Sequence, residues 1–162
     1  MALEIIRIDY ENPQHAADLV EMLDSYACDP MGGGKPLNDN TRDNLASGLA
    51  KQPNAFSLIA YVDGSAAGLA NCFIGYSTFA AKPLINIHDI VVKAEYRGQG
   101  IAKTIFAEIE AIAKAQDACK VTLEVLSGNE PAKALYASLG YGDYALDPAK
   151  GHALFWQKEL AA

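Results

Sequence analysis

The sequence predicts a mixed α+β domain in which one central sheet of about seven strands is flanked by four helices. Three observations lead to this prediction. Short runs rich in β-formers recur along the chain, apolar residues at helical spacing interrupt them, and no internal repeat, low-complexity tract or linker divides the 162 residues. Because no boundary is visible in the sequence, we predict a single domain over residues 1–162.

The predicted order of elements is β, α, α, β, β, β, α, β, α, β, β. In the first half, Leu19, Val20 and Leu23 recur at helical spacing, and Asp63-Gly64 between two β-rich runs is a strong hairpin signal. The elements predicted here are a strand at 3–9, a helix at 16–26, a flexible glycine-rich loop at 29–36, a helix capped by Asn40 or Thr41 and ending near Lys51, and strands at 56–62 and 66–73.

The second half is organised around residues 85–115, where an apolar strand, a glycine loop and a long helix follow one another. Isoleucines recur at helical spacing from residue 101 onwards, and a later helix has Pro131 in its first turn and Gly140 at its end. The strands predicted for this half lie at 84–92, 120–126, 143–146 and 153–160.

The loop Arg97-Gly98-Gln99-Gly100 is suited to bind an anion. The first N–H groups of a helix have no intrahelical partner, and the helix dipole makes that end positive. The two glycines permit positive φ and close approach of a ligand to the backbone, and Arg97 adds a charge. Residues 97–103 therefore predict a phosphate or pyrophosphate pocket, although glycine can also serve the geometry of a βα loop alone. P-loop and Rossmann fingerprints fit worse. Ile101-Ala102-Lys103 does not supply the Gly-Lys-Ser/Thr ending of a P-loop, and Lys103 stands where the Rossmann fingerprint needs a small residue.

Two segments resemble the GCN5-related N-acetyltransferase (GNAT) family. Arg97, Gly100 and Ala102 fit the family signature R/Q-x-x-G-x-G/A, where the pyrophosphate of acetyl-CoA binds. The stretch Asn129–Tyr141, NEPAKALYASLGY, is similar to the family segment N-x-x-A-x-x-x-Y-x-x-x-G-F/Y. The resemblance implies a mixed, mostly antiparallel sheet with a bulged central strand, whose fourth and fifth strands splay apart to admit CoA.

The resemblance also implies a reaction, namely direct transfer of an acetyl group from acetyl-CoA to a primary amine of a small molecule through a tetrahedral intermediate, without a metal. Tyr136 matches the family tyrosine whose hydroxyl lies near the CoA sulfur and acts as general acid, whereas its spacing alone would make it a core residue. The N–H of Val91 or Val92 is the expected oxyanion donor. The implied CoA-binding residues are Val91, Val92, Arg97, Gly98, Gln99, Gly100, Ile101, Ala102, Lys103 and Asn129.

His88 and Asp89 are adjacent polar residues in the central, mostly apolar strand. Apolar residues before the pair face one side of an ideal strand and those after it face the other. A β-bulge would shift the phase in this way, and a strand buried on both faces would make the phase meaningless; the family has a bulge at this point. His88, Asp89 or a water held by Asp89 could accept a proton from the amine, or Asp89 could only bind the amine or a neighbouring backbone group.

Composition and charge limit the ligands and the cellular location that we expect for this protein. A net charge of −7 disfavours nucleic-acid binding, and neither a membrane-spanning run nor a signal peptide is visible, so we expect a cytoplasmic protein that acts away from membranes. The histidines are scattered, which predicts no metal site. Three unpaired cysteines, Cys28, Cys72 and Cys119, are expected to be buried or half-buried thiols. Many family members are dimers, so a homodimer is expected.

Other functions stay open at this point. An enzyme of the same fold could acetylate a protein N-terminus or a lysine side chain, and a non-catalytic acyl-CoA sensor would need neither Tyr136 nor Asp89. Relatives that act on polyamines have a Glu-Asp pair where this chain has His88-Asp89, which puts a polyamine substrate in doubt. The glycine-rich loop at 32–34 is either a mobile flap over the acceptor or an ordinary linker.

Overall fold

A computed structural model describes residues 1–144 and 146–161, and the chain forms two compact units, residues 1–126 and 127–162. The first unit contains eight of the regular elements. They are β1 (Leu3–Arg7), α1 (Pro13–Cys28), α2 (Asp39–Ala50), β2 (Ala55–Val62), β3 (Ser65–Ser77), β4 (Lys82–Val92), α3 (Ile101–Ala115) and β5 (Val121–Leu123). The second unit contains α4 (Glu130–Ser138).

The five strands form one sheet in sequence order, β1-β2-β3-β4-β5. The first four pair antiparallel, and β5 pairs parallel to β4. The hairpin between β2 and β3 turns at Asp63 and Gly64, both at positive φ, as a two-residue connection between twisted strands requires. The predicted fold class, a mostly antiparallel mixed sheet with four helices, is therefore confirmed.

The number of strands is lower than predicted, since the sheet has five strands among the described residues instead of about seven. Residues 153–160 form no strand, although they begin with an apolar run at 153–156. Phe155 and Trp156 in this segment are 76 % and 83 % exposed. Residues typical of strands are not sufficient, because a strand also needs a hydrogen-bonded neighbour. The strand predicted at 143–146 includes Ala145, which lies outside the described residues.

Several boundaries differ from the prediction because side-chain caps decide them. α2 is capped by Asn38, whose side chain accepts from the N–H of Thr41, instead of by Asn40 or Thr41. The loop after α1 begins as a short 3₁₀ turn, Pro30–Gly32, and Asp29 caps that turn through the N–H of Met31. The glycine-rich loop is thus tied to the end of α1.

Helices cover the sheet on both faces. On one face, α1 and α2 bury Leu19, Met22 and Leu49 against Ile59 and Leu69 of β2 and β3. Gly68, next to Leu69, points to the opposite face, where α3 packs; an added Cβ would lie 2.9 Å from Cδ1 of Ile105. A glycine in β3 therefore lets α3 approach the sheet closely.

Truncating Ile105 should destabilise the protein strongly. Its side chain is fully buried, so Ile105→Ala leaves a cavity between α3 and the sheet. We expect the free energy of unfolding to fall by about 2–5 kcal/mol in urea denaturation. Glu108→Ala, on the exposed side of the same helix, serves as control and should change it by less than about 0.5 kcal/mol. Equal effects of the two variants would contradict this packing.

Candidate functional site

A β-bulge lies at the centre of β4. Asn71 of β3 pairs with Asp89, and the next residue, Cys72, pairs with Ile87, so His88 is an extra residue on β4. The bulge confirms the predicted phase shift. It places the apolar residues on both sides of it on one face of the sheet, opposite alternate residues of β3: Ile85, Ile87, Ile90 and Val92 pair with Ile74, Cys72, Ala70 and Gly68.

His88 and Asp89 both lie on the other face, which α1 and α2 cover. Asp89 pairs with Asn71, and the His88 ring contacts the ring of Phe73, two residues along β3 on the same face, with centroids 5.6 Å apart at 81°. His88 is exposed, whereas Asp89 is half-buried. The two polar residues predicted as candidate bases are thus presented together.

Beyond the bulge, some backbone N–H groups of β4 point away from β3. β4 pairs with β5 only at Ile85–Ile87, so among the described residues β5 leaves the second half of β4 uncovered. The N–H of Lys93 donates to the carbonyl of Ala67, and antiparallel bonding alternates. The N–H of Val91 therefore points into the β3 ladder, whereas those of Ile90 and Val92 point outwards. Of the two expected oxyanion donors, the N–H of Val92 is the one that points away from β3 and can donate to a ligand.

α3 begins without a side-chain cap. Its N-cap residue is Gly100, at φ 81°, and no side chain accepts a hydrogen bond from the first turn. Gly98 is also at positive φ, and a Cβ at either glycine would meet nothing within 4 Å. Gly98, Gln99, Gly100 and Lys103 are exposed, Ala102 is half-buried and Ile101 is buried. This start of a helix offers N–H donors and open space, which fit a pyrophosphate.

Arg97 does more than add charge to this loop. Its Nε donates to the carbonyl oxygen of Val92 at 2.9 Å, which agrees with the outward direction of the Val92 backbone. Its Nη2 lies 3.6 Å from Oδ2 of Asp29, the residue that caps the glycine-rich turn. Arg97 therefore links the end of β4 to the connection between α1 and α2, and the backbone of the loop supplies the donors that face solvent.

Tyr26 lies within electrostatic range of Asp89. Its pKa is raised, first by its burial and then by the charges of Asp89 and Asp29. Because Asp29 is paired with Arg97, attraction of a cationic ligand such as an ammonium group rests on Asp89.

Two cavities open on the face that α1 and α2 cover. The larger, about 600 Å³, lies beside the start of α1 and includes neither His88 nor Asp89. The other, about 470 Å³, lies between α2 and β3 and reaches Phe73, the ring in contact with His88. Neutral amides line much of it: Asn40, Asn44, Gln52 and Asn54. His88 and Asp89 do not line this groove either, but Phe73 connects it to His88, which makes it the better candidate for an acceptor.

The remaining predicted site residues belong to the second unit and are described by themselves. Asn129 caps α4, with its Oδ1 accepting from the N–H of Ala132 at 3.3 Å. Tyr136 lies in the last turn of α4 and is half-buried, and its carbonyl accepts from the N–H of Tyr141. Within the described residues, no group of three or more metal-ligating side chains occurs.

Sequence reasoning missed Asn71, Ser57 and Tyr10, which continue from Asp89 as a chain of hydrogen bonds. A polar residue inside each of two apolar strands was the available signal. Their pairing depends on strand register, which the sequence does not show.

The sequence profile of the acetyltransferase (GNAT) family matches residues 19–141. A Bacillus subtilis (strain 168) protein named for ribosomal protein bS18 alanine N-acetyltransferase activity is 33 % identical over 100 residues, 62 % of this chain and 62 % of that protein. The thialysine N-epsilon-acetyltransferase of Caenorhabditis elegans is 25 % identical over 129 residues, 80 % of this chain and 78 % of that enzyme.

Solved structures agree in fold. An aminoglycoside acetyltransferase from an uncultured soil metagenomic sample, in complex with sisomicin, matches with a TM-score of 0.77 at 16 % identity. The match covers 98 % of this chain and 97 % of that one. Among the described residues, no helix has both the length and the apolar character needed to cross a membrane.

The three cysteines should differ in reactivity. Cys72 is buried, and its burial followed by the charge of Asp89 raises its pKa to about 12; Cys28 and Cys119 are exposed, contrary to expectation. Because the thiolate is the nucleophile, iodoacetamide at about pH 8 should alkylate Cys28 and Cys119 and spare Cys72 in the folded protein. Peptide mass spectrometry measures this, with urea-unfolded protein as control. Equal modification of all three in the folded protein would contradict the burial of Cys72.

Proposed function

Because the chain belongs to the acetyltransferase (GNAT) family, we propose that it transfers an acetyl group from acetyl-CoA to a primary amine of a small molecule. One observation carries the proposal. The bulge at His88 presents a carboxylate on one face of β4, and the backbone N–H of Val92 points away from β3 in the plane of the sheet. An acceptor for the proton of an amine and a donor for a developing oxyanion therefore lie on the same strand.

The first turn of α3 would hold the pyrophosphate. Its N–H groups are uncapped, and Gly98 and Gly100 leave the approach open. The other loop residues proposed for this role are Arg97, Gln99, Ile101, Ala102 and Lys103, and the family motif adds Asn129. When bound, acetyl-CoA supplies an electrophilic thioester carbonyl and a thiolate leaving group.

Asp89 is the proposed base. An amine must be neutral to attack a carbonyl carbon, and a carboxylate on the acceptor face can accept its proton and pass it to solvent. His88, exposed beside it, is the second candidate. The charge of the Asp89 carboxylate also favours binding of the ammonium form before the proton is lost.

The remaining steps need one hydrogen-bond donor and one acid. As the C–N bond forms, the N–H of Val92 donates to the carbonyl oxygen that becomes negative; as the C–S bond breaks, Tyr136 gives a proton to the sulfur. The ammonium group loses two protons in total. One passes through Asp89 to solvent. The other replaces the proton that Tyr136 gives to the sulfur, so the products are the amide, the CoA thiol and one released proton. The family motif, in which Tyr136 holds the tyrosine position, supports its role.

We propose that the acceptor is a small molecule whose part beyond the reacting amine is polar and uncharged. The groove between α2 and β3 supports this, because its amides can hydrogen-bond hydroxyl or peptide groups. The thialysine enzyme similar to this chain is named for a small amine. Acetylation of a protein N-terminus is the second candidate, because another relative is named for ribosomal protein alanine acetylation.

The proposal also includes a cytoplasmic location and a homodimer. Light scattering measures the oligomeric state.

Release of the CoA thiol tests this function directly. Acetyl-CoA is incubated with the chain and a panel of amines: thialysine, sisomicin, spermidine, amino acids and a peptide with N-terminal alanine. Rapid thiol release with a small amine, together with the acetylated amine in mass spectra, is the expected result. Turnover of the peptide alone would move the assignment to protein acetylation. Binding of acetyl-CoA with no turnover across the panel would favour a sensor.

Gly100→Glu should abolish acetyl-CoA binding. A carboxylate at the start of α3 repels the pyrophosphate and can itself occupy the first-turn N–H groups. We expect the Kd for acetyl-CoA, measured by calorimetry, to rise at least about 30-fold. Gly64→Glu is a matched control, because Gly64 also has positive φ and open space but lies in the β2–β3 turn. Unchanged binding by Gly100→Glu would refute the pyrophosphate site.

Tyr136→Phe should separate chemistry from binding. Loss of the hydroxyl removes the proposed acid, so kcat should fall about 10²-fold while the Kd for acetyl-CoA stays within about twofold. Steady-state kinetics and calorimetry give the two quantities. Tyr144→Phe, on an exposed side chain, serves as control. A Tyr136→Phe variant with undiminished kcat would remove the tyrosine from the mechanism.

A further inference from the structure

Asp89 ends a chain of hydrogen-bonded side chains that crosses three neighbouring strands. Nδ2 of Asn71 donates to Oδ2 of Asp89 at 3.0 Å, and Oγ of Ser57 donates to Oδ1 of Asn71 at 2.6 Å. The hydroxyl of Tyr10 lies 2.8 Å from Oγ of Ser57. Ser57 pairs with Asn71 and Asn71 pairs with Asp89 in the sheet register, so the chain runs straight across β2, β3 and β4 at the level of the bulge.

The direction of every hydrogen bond in this chain is determined. A carboxylate only accepts, so Asn71 must turn its amide NH₂ towards Asp89 and its carbonyl towards Ser57. The hydroxyl of Ser57 donates its single proton to that carbonyl. Its oxygen therefore accepts a hydrogen bond from the hydroxyl of Tyr10. All the donors therefore point towards Asp89, and reversing any one of them would break the next.

Placing these polar side chains in the protein interior carries a free-energy risk that an apolar core would avoid. Ser57 is fully buried and Asn71 is 3 % exposed, in strands whose other inward side chains are mostly apolar. A buried amide without partners costs several kcal/mol, and an apolar side chain would fill the same space without that risk. The chain leads to the one carboxylate beside the bulge.

We infer that Asn71 is a positioning residue for Asp89, held in turn by Ser57 and Tyr10. The inference rests on the proposed role of Asp89 as base. By fixing Oδ2, Asn71 sets the rotamer of the carboxylate, and among the described contacts Oδ1 is left to receive the proton of the amine. Ser57 keeps the Asn71 amide from turning its carbonyl towards Asp89.

A double-mutant cycle on kcat tests this. Asn71→Ala should lower kcat about 10- to 100-fold with the KM for acetyl-CoA within about twofold, as loss of an orienting partner does at other sites. Ser57→Ala, a smaller change, should lower kcat about threefold or more. In an Asp89→Asn background, either substitution should change kcat further by less than about twofold, because nothing remains to be positioned.

The matched control is Asn86→Ala. Asn86 also lies on β4 and donates across strands, to Oγ1 of Thr122 at 3.0 Å, but it does not bond Asp89. It should lower the melting temperature and leave kcat within about twofold. Rates are measured with thialysine, or with the panel amine that is acetylated fastest, and are divided by the acetyl-CoA-binding fraction so that partial unfolding does not count as lost chemistry.

The outcomes separate the two proposals. Equal losses of kcat from Asn71→Ala with and without Asp89 would show that the chain supports the fold alone, while Asp89 stays the base. An Asp89→Asn variant with normal kcat would overturn both the base and its positioning, yet acetyl transfer by the unaltered chain would stand. If Asn71→Ala fails to fold, the cycle with Ser57→Ala decides in the same way.

Discussion

The structure depends on one extra residue in a β-ladder. His88 is inserted in β4 opposite the step from Asn71 to Cys72 of β3, and the register of the sheet shifts there. If the same residues paired in regular alternation with no bulge, Ile90 and Val92 would face α1 and α2, and Asp89 would face α3. With the bulge, both halves of the strand present apolar residues to one face, and His88 and Asp89 lie on the other. A local irregularity thus reconciles a well-packed sheet with a carboxylate in its centre.

The two faces of the sheet have different tasks. On the α3 side, Gly68 permits close packing against Ile105, which holds the uncapped start of that helix in a fixed position. On the α1 side, buried polar groups replace part of the apolar core and lead to Asp89. Arg97 connects the sides by bonding the end of β4 and pairing with Asp29. The carboxylate therefore lies on the α1 side of β4, whereas the N–H of Val92 points away from β3 in the plane of the sheet.

Family membership explains the fold and the class of reaction but leaves the acceptor to local chemistry. The relatives differ in the amine for which they are named, from a ribosomal protein to thialysine. In this chain, His88 precedes the carboxylate of Asp89, and its ring contacts Phe73, which lines an amide-rich groove. Neutral hydrogen-bonding groups at that place favour recognition of a polar acceptor over a long polycation, whose charges would need further carboxylates.

The sequence by itself determined what depends on neighbours along the chain. Helical spacing and helix-end residues marked all four helices, Asp63-Gly64 marked the hairpin, and the loss of phase across His88-Asp89 marked the bulge. Each of these follows from local backbone geometry or from the two-residue period of a strand. The positive φ of Gly98 and Gly100 was predictable for the same reason.

Only the tertiary structure decided which distant groups became partners. The ladder register directs the N–H of Val92 outwards and that of Val91 inwards, and it aligns Ser57 and Asn71 with Asp89. The segment at 153–160, which begins with an apolar run, forms no strand. A strand pattern states which residues can share a face, whereas hydrogen bonds across strands are set by register between segments far apart in sequence, and no local pattern encodes that register.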